Sequence, residues 1–505
     1  MRHPISLAVA LLALGCEGHL IDRNLPGGNP PPTTNAAFAF RFGGPGSDLI
    51  EDVATDPGGA VYVAGTFTAT PDFDPGSGTV ALSSLGTTDG FLAKYSAAGA
   101  LVWVAQVGGV AAETVTSLAR DSSGNLYLGG GFSGSTDFDP STGLQVLTSV
   151  GGQDGYVAKY SSTGSLLWAR RFGGAGTDEV NDLAVDAAGN VYAGGVFSGQ
   201  ADALPIAGPT ILAAGSAPDG FLFSLDAGGA VRWALPIGGL QDDAVSAVVA
   251  TGAGNLTVAG GFRGSADFAR NSTPFNLAAQ GGADGFLASY SSSGVLQWAK
   301  GIGGLSEESV PTGGLALDGQ GGTALLGQFS GSADFDPGPG NASKTSISAA
   351  DLFLARYDAN GSFLSVVTLG GQGSILGVRA LVDPDGSVLL TGWFTGSLDF
   401  DPGTTVTSLA SLGQAGATDA FVARYSQSGS FAWVTRFGEV TTVGDRSNSG
   451  TALGLDPAGN VVVAGRFFGS PDFDPGSSAL ALSSLGEADA FLVKLTAAGA
   501  LLTTP

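Results

Sequence analysis

The chain is expected to be all-β: a single seven-bladed β-propeller of four-stranded antiparallel blades, its ring closed by the N-terminal strand. Three observations predict this. A unit of 65–68 residues recurs seven times. Each copy reads as four short strands separated by turn residues. The aromatic missing from the C-terminal end is supplied by the segment that precedes the first unit. Periodicity on this scale points to stacked supersecondary units, because one such unit cannot bury its apolar face alone.

The repeats start near residues 42, 107, 172, 237, 302, 369 and 437, each with an apolar residue followed by glycine. The pair Gly-Gly opens six of them, and Gly438-Glu439 opens the seventh. In the first unit the strands read "EDVATD", "AVYVAGTF", "GFLAKYS" and "ALVWVAQ", here called a, b, c and d. The turns "PGG" and "AAG" separate a from b and c from d. Between b and c lies a longer excursion containing "TVALSS", strand-like enough to add a short hairpin. Alternation and β-formers support the strands, and glycine supports the turns.

Ring closure follows from the tryptophans. Trp103, Trp168, Trp233, Trp298 and Trp433 each stand in strand d, five residues before the next unit's first glycine. Ser365 takes that place in unit five, and Phe38 takes it ahead of unit one. After the last unit the equivalent residue is Thr503. Ala37–Phe42 is therefore expected to complete the seventh blade, removing exposed strand edges. The alternative, with 500–504 as the outer strand, stays open. The tryptophans and the series Phe67, Phe132, Phe197, Phe262, Phe329, Phe394 and Phe467 are expected to be packing between blades.

"PDFDPG" at residues 71–76 recurs in variant form in every unit. Its first aspartate is invariant: Asp72, Asp137, Asp202, Asp267, Asp334, Asp399 and Asp472. Its second is present in five: Asp74, Asp139, Asp336, Asp401 and Asp474. Asp-Pro-Gly is turn chemistry. The five complete pairs, Asp72/Asp74, Asp137/Asp139, Asp334/Asp336, Asp399/Asp401 and Asp472/Asp474, are also the candidate calcium ligands. Residues two apart in an extended chain share a side, and calcium takes oxygen ligands. No dense EF-hand loop accompanies them.

Two further acidic series repeat. One precedes strand c: Asp89, Asp154, Asp219, Asp284, Asp351, Asp419 and Asp489. The other opens the a–b turn in six units, with Thr251 in the fourth. The d–a connection adds Asp48, Glu113, Asp178, Asp243 and Glu308. The excursion and the d–a connection emerge on one face, which collects the longer loops. Most of the net charge of −24 thus arises from repeated turn chemistry. That charge excludes a phosphate-neutralising surface, so no nucleic acid partner is expected.

Cys16, His3 and His19 are the only cysteine and histidines. The repeats therefore hold no Cys/His zinc site, disulfide, thiol nucleophile or imidazole base. Residues 1–16 have a basic start, an apolar run from Ile5 to Leu14, then Gly15 and Cys16. "LALGC" resembles the lipobox of bacterial lipoproteins, with a departure at Leu14, where a small residue is more usual. The resemblance implies a lipoprotein signal peptide, lipidation at Cys16 and a membrane anchor at the cell envelope. Residues 17–36, rich in Pro, Gly and Asn, read as a tether, and 37–505 as the propeller.

The repeat itself resembles a known family. The stretch beginning at Asp186, "DAAGNVY", and "DGFLAKY" at Asp89–Tyr95 are similar to the bacterial β-propeller repeat called SBBP. The resemblance implies the fold and an extracytoplasmic location, without a common activity. The expected function is a non-catalytic, envelope-anchored binding or scaffold module for a protein or polysaccharide partner. The alternatives are a calcium-binding surface or adhesion protein, and a propeller-type glycosidase or lyase. A catalytic pair should break the repeat symmetry. Arg170–Arg171, Arg379, Arg446 and Trp393 do so.

Overall fold

The computed structural model describes residues 20–22, 38–203, 211–270, 273–414, 416–440, 447–474, 476 and 478–503. Cys16, the segment 1–16 and Arg446 lie outside the described residues, as does 17–36 apart from residues 20–22. Every regular element described is a strand, and all paired strands are antiparallel. No helix among the described residues is long and apolar enough to cross a membrane.

In unit one, Asp48–Thr55, Val61–Phe67, Asp89–Tyr95 and Leu101–Gly109 are strands a to d, paired in that order. Six units repeat this plan with their own d strand. In the seventh, Ser449–Leu455, Val461–Phe467 and Asp489–Leu495 form a, b and c. Its outer strand is Ala39–Phe42, with Ala39 opposite Val493 and Phe42 opposite Ala490. The C-terminal segment supplies only the start of that strand. Leu501 bridges Leu495, the Leu502 N–H donates to the Lys494 carbonyl, and the Phe38 N–H donates to the Leu502 carbonyl. Each end of the chain thus contributes part of one strand.

The short a–b and c–d turns need glycine for a physical reason. Gly229 sits at φ 80° against the ring of Trp168, where a Cβ would approach the indole to 2.9 Å. Trp168 lies in strand d of unit two and Gly229 in the c–d turn of unit three. The Trp168 Nε1–H donates to the Ala227 carbonyl in the same turn, and Trp233 and Trp433 make the equivalent bonds to Ser292 and Ala497. Each indole therefore caps the turn of the next unit. Toward unit one Phe38 and Phe40 share this role, a Cβ on Gly99 meeting Phe40 at 3.2 Å and Phe38 at 3.4 Å.

Within units the packing is aromatic. Phe67, Phe73 and Phe91 are fully buried and meet edge-on or tilted in unit one, and the same triad recurs as Phe467, Phe473 and Phe491. Tyr95 is wholly buried, and its hydroxyl donates to the Phe73 carbonyl at 2.9 Å. Burial of the ring is thereby achieved without an orphaned hydroxyl. Within 17–36, residues Leu20–Asp22 form a strand that pairs with strand d of unit one.

Candidate functional site

The excursion makes the expected hairpin. Ser135–Asp137 pairs with Val146–Thr148, Ser332–Asp334 with Ser343–Thr345, and Ser397–Asp399 with Ser408–Ala410. In unit four the hairpin merges with strands b and c, which lengthen to Leu256–Asp267 and Asn276–Tyr290. The hairpin reaches backward. The first aspartate of each "DFDPG" variant pairs, through its backbone, with the leading glycine at the end of the preceding outer strand. Asp137 pairs with Gly108, Asp202 with Gly173, Asp267 with Gly238, Asp334 with Gly303 and Asp399 with Gly370. Isolated bridges join Asp72 to Gly43 and Asp472 to Gly438. The Gly-Gly pair is therefore a blade-to-blade stitch, and a Cβ on its second glycine would strike the hairpin backbone, as at Gly109 and Ser135.

The side chains of the candidate calcium ligands close these hairpins. Asp72 Oδ1 accepts from the N–H groups of Asp74 and Val80, at 3.0 and 2.8 Å. Asp137, Asp334, Asp399 and Asp472 repeat both bonds. So does Asp267, whose second aspartate is replaced by Ala269. The first aspartate thus does its structural work without the second. Asp74, Asp139, Asp336, Asp401 and Asp474 each accept one N–H two residues on, a local turn bond. Among the described residues, no three His, Cys, Asp or Glu side chains gather as a metal-holding group.

A second acidic arrangement is not apparent from the series taken singly. The aspartate before strand c lies beside the acid of the following d–a connection. At the junction of units two and three, a Cβ on Gly173 would meet Asp154 and Asp178 at 2.7–2.8 Å. Asp89 and Glu113, Asp219 and Asp243, Asp284 and Glu308, and Asp489 and Asp48 form the equivalent pairs, all buried. Burial raises Asp48, Glu113 and Glu308 to about 7, and Asp178, Asp243 and Asp489 to about 6. Repulsion from the paired acid adds to the rise at Asp48, Glu113, Asp178, Asp243 and Glu308.

Strand a breaks the symmetry. A bulge after its second or third residue brings Asp52, Asp182, Ala247, Arg379 and Ala452 into the same register in their units. Arg379 of unit six pairs with Asp52 of unit one at 3.2 Å and donates to the Glu51 carbonyl. Asp52 Oδ2 accepts the Leu118 N–H of unit two, and Asp182 accepts the Ser117 hydroxyl and the Val248 N–H. These bonds join units one to four and reach unit six. Burial holds Glu51 at about 7 although Arg379 and Arg466 lower it. Arg379 is thus committed to binding the inner strands together. Arg171 bonds Asp154, Arg170 lies over the Trp168 ring, and Trp393 stands in strand b of unit six. These singular residues occupy separate places and do not converge on one cleft.

The long-loop face carries an exposed apolar side chain at every junction. Val110, Leu240, Leu305 and Val440 follow the glycine stitch, with exposures of 73, 77, 82 and 80%. Val150, Ile347 and Leu485 stand on excursions at the remaining three junctions. Their sequence signal was available, one apolar residue directly after the Gly-Gly pair or just before strand c, but nothing in the sequence states exposure. Leu305 and its neighbours are held by the stitch and by bonds between loops, such as Gly282 N–H to the Ser306 carbonyl.

Residues 167–196 match the family model for the β-propeller repeat SBBP. The regulatory protein FlaEY of Caulobacter vibrioides is 32% identical over 201 residues, covering 38% of this chain and 18% of that protein. An uncharacterized WD repeat-containing protein, L264, of Acanthamoeba polyphaga mimivirus is 21% identical over 482 residues, covering 79% of this chain and 34% of that protein. The chain therefore spans a fifth to a third of the length of these relatives. Among solved structures, Sqt1 from Chaetomium thermophilum aligns over 85% of this chain and 97% of its own, at 11% identity and a TM-score of 0.39. A protein of unknown function from Bacteroides caccae aligns over 69% and 90%, at 10% identity and a TM-score of 0.31. At these scores the solved structures add nothing to the fold described above.

Proposed function

Starting from a β-propeller repeat protein, we propose a single closed seven-bladed ring that acts as a non-catalytic binding scaffold for a protein partner. The pairing of Ala39–Phe42 with Asp489–Leu495 and the Arg379–Asp52 bond between units six and one support closure. The observation that carries the function is the exposed apolar residue at each of seven junctions, all on the long-loop face. A partner docking across this face would cover these side chains together, and apolar groups gathered on one face are a mark of interaction surfaces. Similarity to a regulatory protein and to a WD repeat-containing protein is in keeping with an interaction role. The lipobox-like Cys16 supports a lipid-anchored, extracytoplasmic scaffold in a bacterial envelope.

The test is capture of partners from envelope extracts by the wild type, beside a variant with Leu240→Glu, Leu305→Glu and Val440→Glu. A control, Ser293→Glu, charges the opposite face. The proposal expects a defined protein to be lost only in the triple variant. Retention in all three, or binding to a glycan array alone, counts against it. Cys16→Ser should move the protein from the membrane fraction to the soluble one.

A further inference from the structure

Five of the junctions bury two carboxylates side by side, and the environment of these pairs differs at one of them. Two like charges withdrawn from water need compensation, whether from a donor, a cation or a proton. Four junctions supply a side chain. Arg41 Nη1 lies 3.2 Å from Asp489, Gln106 Nε2 donates to Asp89 at 2.6 Å, and Arg171 Nη1 lies 2.5 Å from Asp154. These three residues occupy one repeat position, two before the stitch glycine. Unit three has Pro236 there, and Arg270 replaces it from the next excursion, 2.7 Å from Asp219.

At the junction of units four and five that position is Gly301. Among the described residues no basic side chain bonds to Asp284 or Glu308. The nearby Arg263 is engaged by Glu307, at 2.6 and 3.1 Å. Asp284 Oδ2 accepts the Gln280 N–H and Glu308 Oε2 accepts the Gly304 N–H. The second oxygen of each, Asp284 Oδ1 and Glu308 Oε1, is buried without a hydrogen-bond partner, as is one oxygen each of Asp48, Asp154, Asp219 and Asp489; what sets this junction apart is that no side-chain donor accompanies the pair. Both side chains are 98% buried. Both also converge on one point: a Cβ on Gly303 would lie 2.5 Å from Glu308 Oε2 and 3.0 Å from Asp284 Oδ1.

We propose that Asp284 and Glu308 together bind a hard divalent cation, of the calcium class, which takes the place that a guanidinium or amide fills at the other four junctions. The donors are all oxygen, which selects against softer metals. Two carboxylates suit calcium, whose coordination is loose in number and angle. The site differs from the "DFDPG" loops, whose aspartates are engaged in hairpin closure.

The structure offers a direct substitution. A Cβ at Gly301 has as its nearest neighbour the Phe262 ring at 3.6 Å, an ordinary contact. Gly301→Arg should therefore install the guanidinium that Arg171 provides elsewhere. The experiment is thermal unfolding of the full chain with calcium chloride, magnesium chloride or chelator alone. The wild type is expected to melt higher in millimolar calcium than in chelator, by on the order of 2–4 °C. Gly301→Arg is expected to lose this response and to melt in chelator at or above the wild type. Glu308→Gln should also lose it, while Asp74→Ala should keep it. An unresponsive wild type overturns the proposal, and so does an undiminished response in Gly301→Arg. If Glu308→Gln fails to fold, Gly301→Arg decides alone.

Discussion

Phe42→Ala tests whether the N-terminal strand is an integral part of the seventh unit. Phe42 is 1% exposed and ends the strand opposite Ala490. Its ring stacks on Phe73 at 5.0 Å and meets Phe91 edge-on at 5.4 Å. Both partners belong to unit one, so the side chain joins the first and last units through one ring. Truncating a buried phenylalanine to alanine costs about 3–5 kcal/mol, from lost transfer energy and a residual cavity. The aromatic contacts place Phe42 toward the upper end, since such pairs add about 0.5–1.5 kcal/mol beyond burial. Phe40, only partly buried and touching Phe38 and Tyr95, serves as the internal control. Its truncation should cost less than half as much. The assay is urea unfolding followed by tryptophan fluorescence, read as the shift in midpoint at constant slope. A Phe42→Ala cost below about 1 kcal/mol, or equal costs for the two variants, would refute the seating of this strand.

Asp334→Ala removes an acceptor of two backbone N–H groups and should cost about 1–3 kcal/mol. Asp336→Ala, losing one exposed turn bond, should cost under about 1 kcal/mol by the same unfolding measurement. Arg379→Met leaves Asp52 buried without its cation and should cost about 3–5 kcal/mol, with Asp52→Asn in the same chain recovering much of it. In chelator, the melting temperature should rise as pH is lowered from 8 to 5. Asp48, Glu113 and Glu308 titrate near 7 when folded and near 4 when unfolded, so the folded chain takes up protons first. Their contribution is full below the unfolded value and is lost as pH climbs through about 7. A melting temperature that falls between pH 8 and pH 5 would contradict this.

Strand order was legible because it depends on local signals. Alternating residues such as Val61, Val63 and Phe67 form the strands, and Gly59 and Gly99 form the turns at positive φ. The fixed offset of the tryptophans also pointed correctly to Phe38 as the substitute in the last unit. The stitch was not legible, because Gly108 and Asp137 are 29 residues apart and pair through backbone that any residue carries. "DFDPG" taken alone suggests a metal loop as readily as a hairpin closure. The distinction lies in which N–H groups its oxygens accept. The acid pairs left a weak trace, a constant offset of 24 residues between Asp89 and Glu113, Asp154 and Asp178, and Asp284 and Glu308. Arg379 and Asp52 are remote in sequence, and only the folded arrangement brings them together.

The most direct measurement concerns the shared strand itself. Ala39 and Val493 face each other across it, close enough for a disulfide between opposed strand residues. Ala39→Cys with Val493→Cys, in a Cys16→Ser background, should oxidise to a monomeric cross-linked chain, seen by non-reducing electrophoresis and peptide mass mapping. Failure of the two cysteines to join in folded protein, or their joining only between molecules, would contradict a ring held shut by its own two ends.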